Sequence, residues 1–112
     1  GHARMSGYPD SGLVEVVIRH KNANMAGVLS FDGRVLEAFG FTRESPVRFH
    51  VRLIESAELV MGRPMPHLKV VGRSGGILGF VQMFDPSPSE QAELEVLAAA
   101  LTEAAAGYEE EA

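Results

Sequence analysis

Apolar and polar residues alternate with a period of two over most of the chain, a pattern that is typical of β-strands. The run Leu13 to His20 is rich in Val and Ile and predicts a buried first strand. In residues 25–31, alternate positions carry apolar side chains or Gly up to Asp32-Gly33, a dipeptide that favours a tight hairpin turn. We therefore expect residues 34–41 to return antiparallel to residues 25–31.

The clearest alternation in the sequence lies in residues 47–53 (VRFHVRL). It predicts a strand whose Val, Phe and Leu side chains face the core. The opposite face of this strand is basic and is expected to face solvent; it carries Arg48, His50 and Arg52.

The next part of the chain fits two types of secondary structure. Residues 57–61 fit a short strand, whereas residues 54–61 fit a helical turn equally well. A second hairpin is predicted for residues 68–73 and 77–84, because Ser74-Gly75-Gly76 between them is a run of turn-forming residues.

The hydrophobic period changes near Asp85 from two to between three and four, which indicates a helix. Ser87-Pro88-Ser89-Glu90 has the cap hydroxyl, the proline and the acidic residue of a helix start, and Gly107 is the predicted stop. The acidic residues of the helix are expected to lie mostly off its apolar stripe; they are Glu90, Glu93, Glu95 and Glu103. The stripe itself consists of Leu94, Leu97, Leu101, Ala104 and Tyr108.

The predicted fold class is therefore mainly β with one C-terminal α-helix (α+β). About seven short strands followed by one amphipathic helix resemble the pleckstrin-homology-like fold, including its small bacterial members. The resemblance implies a strongly bent antiparallel sheet, or a partly open barrel, capped by the helix. Gly27, Gly40, Gly72 and Gly79 lie inside strand-like runs, where they can supply bends or bulges.

The chain length fits one domain. We expect residues 13–107 to form a single pleckstrin-homology-like domain, residues 1–12 to be a disordered N-terminal segment and residues 108–112 to be an acidic tail. Because residues 1–3 precede Met5 and include no Met, we interpret them as a remnant of cloning and leave His2 out of the functional analysis.

Charge and composition argue against several classes of function. Residues 1–84 carry ten Lys or Arg against seven Asp or Glu, whereas residues 85–112 carry eight acidic residues and no basic one. A mildly basic body with an acidic end argues against broad nucleic-acid binding, which needs a basic footprint on the scale of a domain. The absence of Cys excludes disulfides and thiolate chemistry. No apolar run resembles a membrane span or a signal peptide, so we expect a cytoplasmic location.

One candidate binding surface for an anion or a partner is basic. It combines the strand face with a cluster at the end of the first strand, and its residues are Arg19, His20, Lys21, Arg43, Arg48, His50 and Arg52. Such a surface can meet an anionic lipid, a phosphate or an acidic peptide. The same residues also fit an ordinary solvated strand face, or a face paired with the acidic helix of the same or another copy.

A second candidate is the irregular apolar segment at residues 62–66 and its flank, with Met61, Pro64 and Met65 as partner contacts. The alternative is that this loop folds back over the mouth of the barrel. The histidines show no metal-ligand spacing, and the glycine-rich residues 72–79 lack the ending of a phosphate-binding loop. No catalytic residue, metal or cofactor is predicted.

The resemblance implies binding rather than catalysis, since members of the family bind phosphoinositide headgroups, peptides or partner domains. The leading hypothesis is a non-catalytic binding or scaffold module that recognises a protein partner, and self-association into a homo-oligomer is one form of this hypothesis. The first alternative is anionic lipid or phosphate binding through the basic strand face. The second is a small-ligand or enzymatic barrel with Phe39, Phe41, Phe80 and Phe84 lining its interior.

Overall fold

The computed structural model describes residues 4–5, 14–19, 26–40, 47–62, 65–83 and 86–111. Within them the chain forms eight strands, one 3-10 helix and one α-helix. The strands are β1 (Arg4–Met5), β2 (Val14–Arg19), β3 (Ala26–Phe31), β4 (Val35–Phe39), β5 (Val47–His50), β6 (Ile54–Val60), β7 (His67–Gly72) and β8 (Ile77–Gln82). The 3-10 helix is Val51–Leu53, and α1 is Pro88–Glu111. The predicted class, mainly β with a C-terminal helix, is confirmed.

The strands form two antiparallel sheets. The first sheet has the order β1-β2-β3-β4-β5, and the second has the order β6-β7-β8. The ambiguous region after residue 53 is thus a strand, β6, rather than a helical turn. In the described part of the chain the two sheets are separate hydrogen-bonded units, and no closed barrel is formed.

The hairpin that joins β3 to β4 is built as its sequence predicts. The Asp32 Oδ1 atom accepts hydrogen bonds from the backbone N–H groups of Arg34 and Val35, both at 2.8 Å. Gly33 has a φ of 99°, a left-handed conformation that glycine adopts at little cost. The donated hydrogen bonds, that of Val35 first, lower the pKa of Asp32.

One hydrophobic core is shared by both sheets and the helix. It takes Val16 and Ile18 from β2, Leu68 and Val70 from β7, and further apolar residues from the other long strands and α1. The predicted helical stripe supplies Leu94, Leu97 and Leu101, each fully buried. Burying a side chain of this size contributes about 1.5–3 kcal/mol, so docking of α1 is a major source of stability.

The helix begins as predicted, but its acidic residues do not all face solvent. The backbone N–H of Glu90 donates to Ser87 Oγ at 3.2 Å, and the backbone N–H of Ser87 donates to Glu90 Oε1 at 2.8 Å. This reciprocal cap buries Glu90. Glu93 is buried as well, and its Oε2 atom has no hydrogen-bond partner among the described residues. The expectation that Glu90 and Glu93 lie off the buried side is therefore wrong.

The predicted helix stop is also wrong, because α1 continues past Gly107 to Glu111. A glycine inside a helix costs about 1 kcal/mol relative to Ala but does not end the helix. The ring of Tyr108, one residue later, contacts the ring of His50, which holds this end of the helix against the sheet. Of residues 1–12, Arg4 and Met5 pair with Glu15 and Val14 of β2, and the others lie outside the described residues.

The single strand predicted for residues 47–53 is a strand followed by a turn. β5 ends at His50, and the 3-10 helix that follows leads the chain from the first sheet into the second. His50 caps this helix, because its Nδ1 atom accepts a hydrogen bond from the backbone N–H of Arg52 at 3.0 Å. Leu53, predicted to face the core, is half exposed as a result.

Candidate functional site

The free edge of the second sheet is the outer side of β8. In an antiparallel pair, alternate residues direct their N–H and C=O groups towards the neighbouring strand. The backbone N–H of Met83 donates to the carbonyl of Pro66 at 3.0 Å, which sets the phase of the β7–β8 ladder. Counting from this bond, Val81 is hydrogen-bonded to Leu68, whereas the pairs Gln82–His67 and Phe80–Lys69 are not hydrogen-bonded. The backbone N–H and C=O groups of Phe80 and Gln82 therefore point away from β7. No described strand pairs with them.

The opposite edge of the same sheet is covered by the helix. The backbone N–H of Ala57 in β6 donates to Thr102 Oγ1 at 3.1 Å. The hydroxyl of Thr102 in turn lies 2.9 Å from the carbonyl of Ala98 and 3.3 Å from the carbonyl of Ala57. Thr102 of α1 thereby accepts the outward N–H of Ala57 and occupies the position where a further strand would pair, so the β6 edge is blocked at Ala57.

The side chains of β8 suit an exposed binding edge. Ile77 and Phe80 are 54% and 53% exposed, and the six residues of β8 (ILGFVQ) carry no charge. Soluble proteins usually protect such an edge with charged residues, proline or a very short strand. The ring of His67 contacts the ring of Phe80 edge-on, with 5.0 Å between centroids, which fixes the exposed phenyl group.

In the described part of the chain the first sheet has two edge strands, β5 and the two-residue β1, which pairs only with Val14 and Glu15. The β5 edge has the opposite character to the β8 edge. It is only four residues long and contains Arg48 and His50. The backbone N–H of Val51 donates to the carbonyl of Arg34 at 2.8 Å, so the backbone groups of Arg48 and His50 point away from β4. A short edge with basic side chains resists the addition of a strand. The β5 and β8 edges therefore differ in what they can bind.

The basic surface predicted from the sequence is brought together only in part. Arg48 and His50 share a face of β5, but Arg52 lies in the 3-10 turn and not on the strand. The Nε atom of Arg48 lies 2.9 Å from Glu37 Oε2 on β4, although 72% of the Arg48 side chain is exposed. Of the remaining members, Arg19 ends β2. His20, Lys21 and Arg43 lie outside the described residues.

The predicted methionine loop lies near one end of β8. Met61 is 44% exposed and follows Val60, whose register partner His67 is in turn opposite Gln82. Met65 is partly buried, and its carbonyl lies 3.1 Å from His67 Nδ1. Pro64 lies outside the described residues. Met61 therefore lies at the Gln82 end of the sheet but on its β6 side, with β7 between it and the candidate edge.

Sequence analysis missed the role of Arg73, which joins three elements. Its Nε donates to the carbonyl of Arg52 at 2.9 Å, and its Nη2 donates to the carbonyls of Val51 at 3.3 Å and Ala105 at 2.7 Å. Its guanidinium also lies 6.0 Å from the centre of the Tyr108 ring. The only sequence signal for this role is the position of Arg73 within a glycine-rich turn. These contacts are structural, since they hold the 3-10 turn and the helix against the end of β7.

Comparison with known proteins provides no further guide to the site. No protein-family model matches the chain, and no curated protein is significantly similar to it. In the described ranges, no group of three or more His, Asp or Glu side chains is arranged to hold a metal ion. No helix among the described residues has the length and apolar character needed to cross a membrane.

Proposed function

We propose that this chain is a non-catalytic, cytoplasmic protein-binding module that receives an extended protein segment along β8. The observation that carries the proposal is the uncharged β8 edge, where the backbone groups of Phe80 and Gln82 face away from β7. An added strand would pair with these groups for affinity. The exposed side chains of Ile77 and Phe80 would supply apolar contact and select the partner.

The element order supports placing the module in the pleckstrin-homology-like class. In the described part of the chain, seven strands of four or more residues precede a helix whose apolar side docks on the strands. Phe49 of β5 packs against Gly79 of β8, where an added Cβ would lie 2.9 Å from Phe49 Cζ, so the sheets approach each other closely. Such an approach suits a strongly bent, partly open barrel. Binding of peptides and partner domains is what that resemblance implies.

The test is affinity capture with two variants of equal charge. Phe80→Lys places a charge on the β8 edge, and Val96→Lys places one on an apolar residue of α1 that is 41% exposed. We expect wild type and Val96→Lys to retain the same protein and Phe80→Lys to lose it. Addition of that protein should slow hydrogen exchange at the outward amides of Phe80 and Gln82.

Two results would contradict the proposal. One is retention of the same proteins by Phe80→Lys as by wild type. The other is protection by the captured protein of amides elsewhere, with those of Phe80 and Gln82 unchanged. Either result would show that the binding surface is not the β8 edge.

A second candidate function is anionic lipid or phosphate binding through Arg48 and His50, favoured by the 72% exposure of the Arg48 side chain. The support is weaker, because Glu37 already pairs with Arg48 and the Nδ1 of His50 is used as a cap. Co-sedimentation with vesicles containing phosphatidylserine, at low and at physiological salt, tests it. Electrostatic binding weakens with salt, so no binding at low salt excludes this function.

A further inference from the structure

We infer that the segment received by β8 is β8 of a second copy of this chain. The two strands would pair antiparallel across a two-fold axis and join two three-stranded sheets into one of six strands. The inference rests on the proposed function, because it names the partner of the same edge. Two observations support it: the register of the β7–β8 pair and the absence of charged residues on β8.

The phase of the β7–β8 ladder makes β8 complementary to itself. An axis that passes by Val81 places Phe80 of one copy opposite Gln82 of the other, and both residues direct their backbone groups outwards. Each such pair exchanges two N–H···O=C bonds, so the two pairs form four main-chain hydrogen bonds. This register uses the regular end of β8 and avoids the bulge opposite Val70 and Val71.

The charge distribution favours a second copy over a charged partner. β8 has no charged residue, so a basic or acidic segment would find no counter-charge on it. On β7, Lys69 stands opposite Phe80 and pairs with Glu58 of β6 at 3.5 Å. The positive charge nearest to Phe80 is therefore compensated within the sheet. Two β8 edges therefore meet without like charges in contact. Self-pairing of β5 would instead bring Arg48 and His50 of both copies together.

The exposed apolar side chains fit the same arrangement. Phe80 stands on the outer face of the sheet and is half exposed in one copy. In the paired sheet it lies beside Gln82 of the other copy and diagonal to the second Phe80, within reach of an aromatic side chain. Symmetric pairing thus shields in each copy an apolar group that a single copy leaves in water. A closed two-fold interface also ends growth at the dimer, since each copy has only one such edge in the described part of the chain.

The test is the molar mass of the full chain by sedimentation equilibrium, with two variants at Gln82. Gln82→Pro removes an N–H that points away from β7, so it leaves the intramolecular ladder intact and deletes two of the four intermolecular hydrogen bonds. Gln82→Thr keeps the N–H and is the matched control. We expect wild type to approach twice 12.1 kDa at about 200 µM. We expect Gln82→Pro to weaken the dimer about 30-fold and Gln82→Thr less than about 3-fold.

A folding control uses the amides of Leu68 and Val81, which lie inside the β7–β8 ladder and should exchange equally slowly in all three proteins. A wild-type chain that remains at 12.1 kDa at about 200 µM overturns self-pairing. So does a dimer that Gln82→Pro and Phe80→Lys leave equally stable. In either case the proposed function survives if another captured protein protects the Phe80 and Gln82 amides, so the two failures are distinguishable.

Discussion

Replacing Thr102 by Val tests whether α1 closes the β6 edge as the structure indicates. Val has nearly the shape of Thr and keeps the methyl group, so the change removes the hydroxyl with little effect on packing. The lost contact is the one in which Thr102 Oγ1 accepts from the backbone N–H of Ala57 at 3.1 Å. Ala57 is buried, at 9% exposure, so its N–H has little access to water as a substitute.

The expected cost follows from which groups lose a partner. The carbonyl of Ala98 still receives the helical N–H of residue 102, so the hydroxyl's own bond to it is dispensable. The N–H of Ala57 has no such replacement, and a buried donor left unpaired costs about 1–3 kcal/mol. Thr and Val have similar helix propensities, which adds little. We therefore expect Thr102→Val to lower the free energy of unfolding by about 1–3 kcal/mol.

Urea denaturation of both proteins in the Phe80→Lys background measures this cost without a contribution from dimerisation. Thr102→Ser keeps the hydroxyl and is the matched control; we expect it to retain the protection of the Ala57 amide from hydrogen exchange. Thr102→Val should lose that protection. A variant as stable as its parent, with the Ala57 amide still protected, would refute the conclusion that this hydroxyl closes the edge.

Three further variants test other parts of the structure. Arg73→Lys loses the planar fork that bonds the 3-10 turn and Ala105 together, so unfolding in urea should become easier by about 1–2 kcal/mol. Asp32→Asn keeps the turn acceptor but not the charge. Because the folded pKa of Asp32 is lowered, its ionisation stabilises wild type above the ordinary value of 3.8, and this contribution is lost as the pH falls through the folded pKa. Urea titrations should show this acid-dependent loss in wild type and not in the variant. Gly79→Val, whose Cβ would lie 2.9 Å from Phe49 Cζ, should lower the melting temperature, and Phe49→Leu should partly restore it. An unchanged stability or pH profile would count against each of these arguments.

The parts of the fold that the sequence predicts well are those set by a few adjacent residues. Asp32-Gly33 supplies both the turn acceptor and the left-handed residue of its hairpin. Ser87 and Glu90 cap each other within one turn of helix. In both cases the partners are close in sequence, so local pattern is enough to place the element.

The errors occur where distant residues decide the local structure. Alternation in residues 47–53 predicts one strand, but the chain turns at Val51, where carbonyls of the turn accept from Arg73, more than twenty residues away. Helical spacing likewise assigns Glu93 to solvent, although tertiary packing covers it. Periodicity gives the faces of an element and does not tell how far its neighbours extend over it.

The candidate site shows the same limit, and it also reverses the first impression that charge gives. In the sequence, Arg48 and His50 attract attention as a binding face, and the uncharged run of β8 looks like one more core strand. Strand order changes both interpretations, because β5 and β8 are edge strands with no described strand on their outer sides. On a free edge, basic side chains disfavour the addition of a strand, whereas an uncharged edge strand can pair with one. The more informative feature for function is therefore the absence of charge on β8, and its meaning depends on a strand order that sequence pattern alone does not determine.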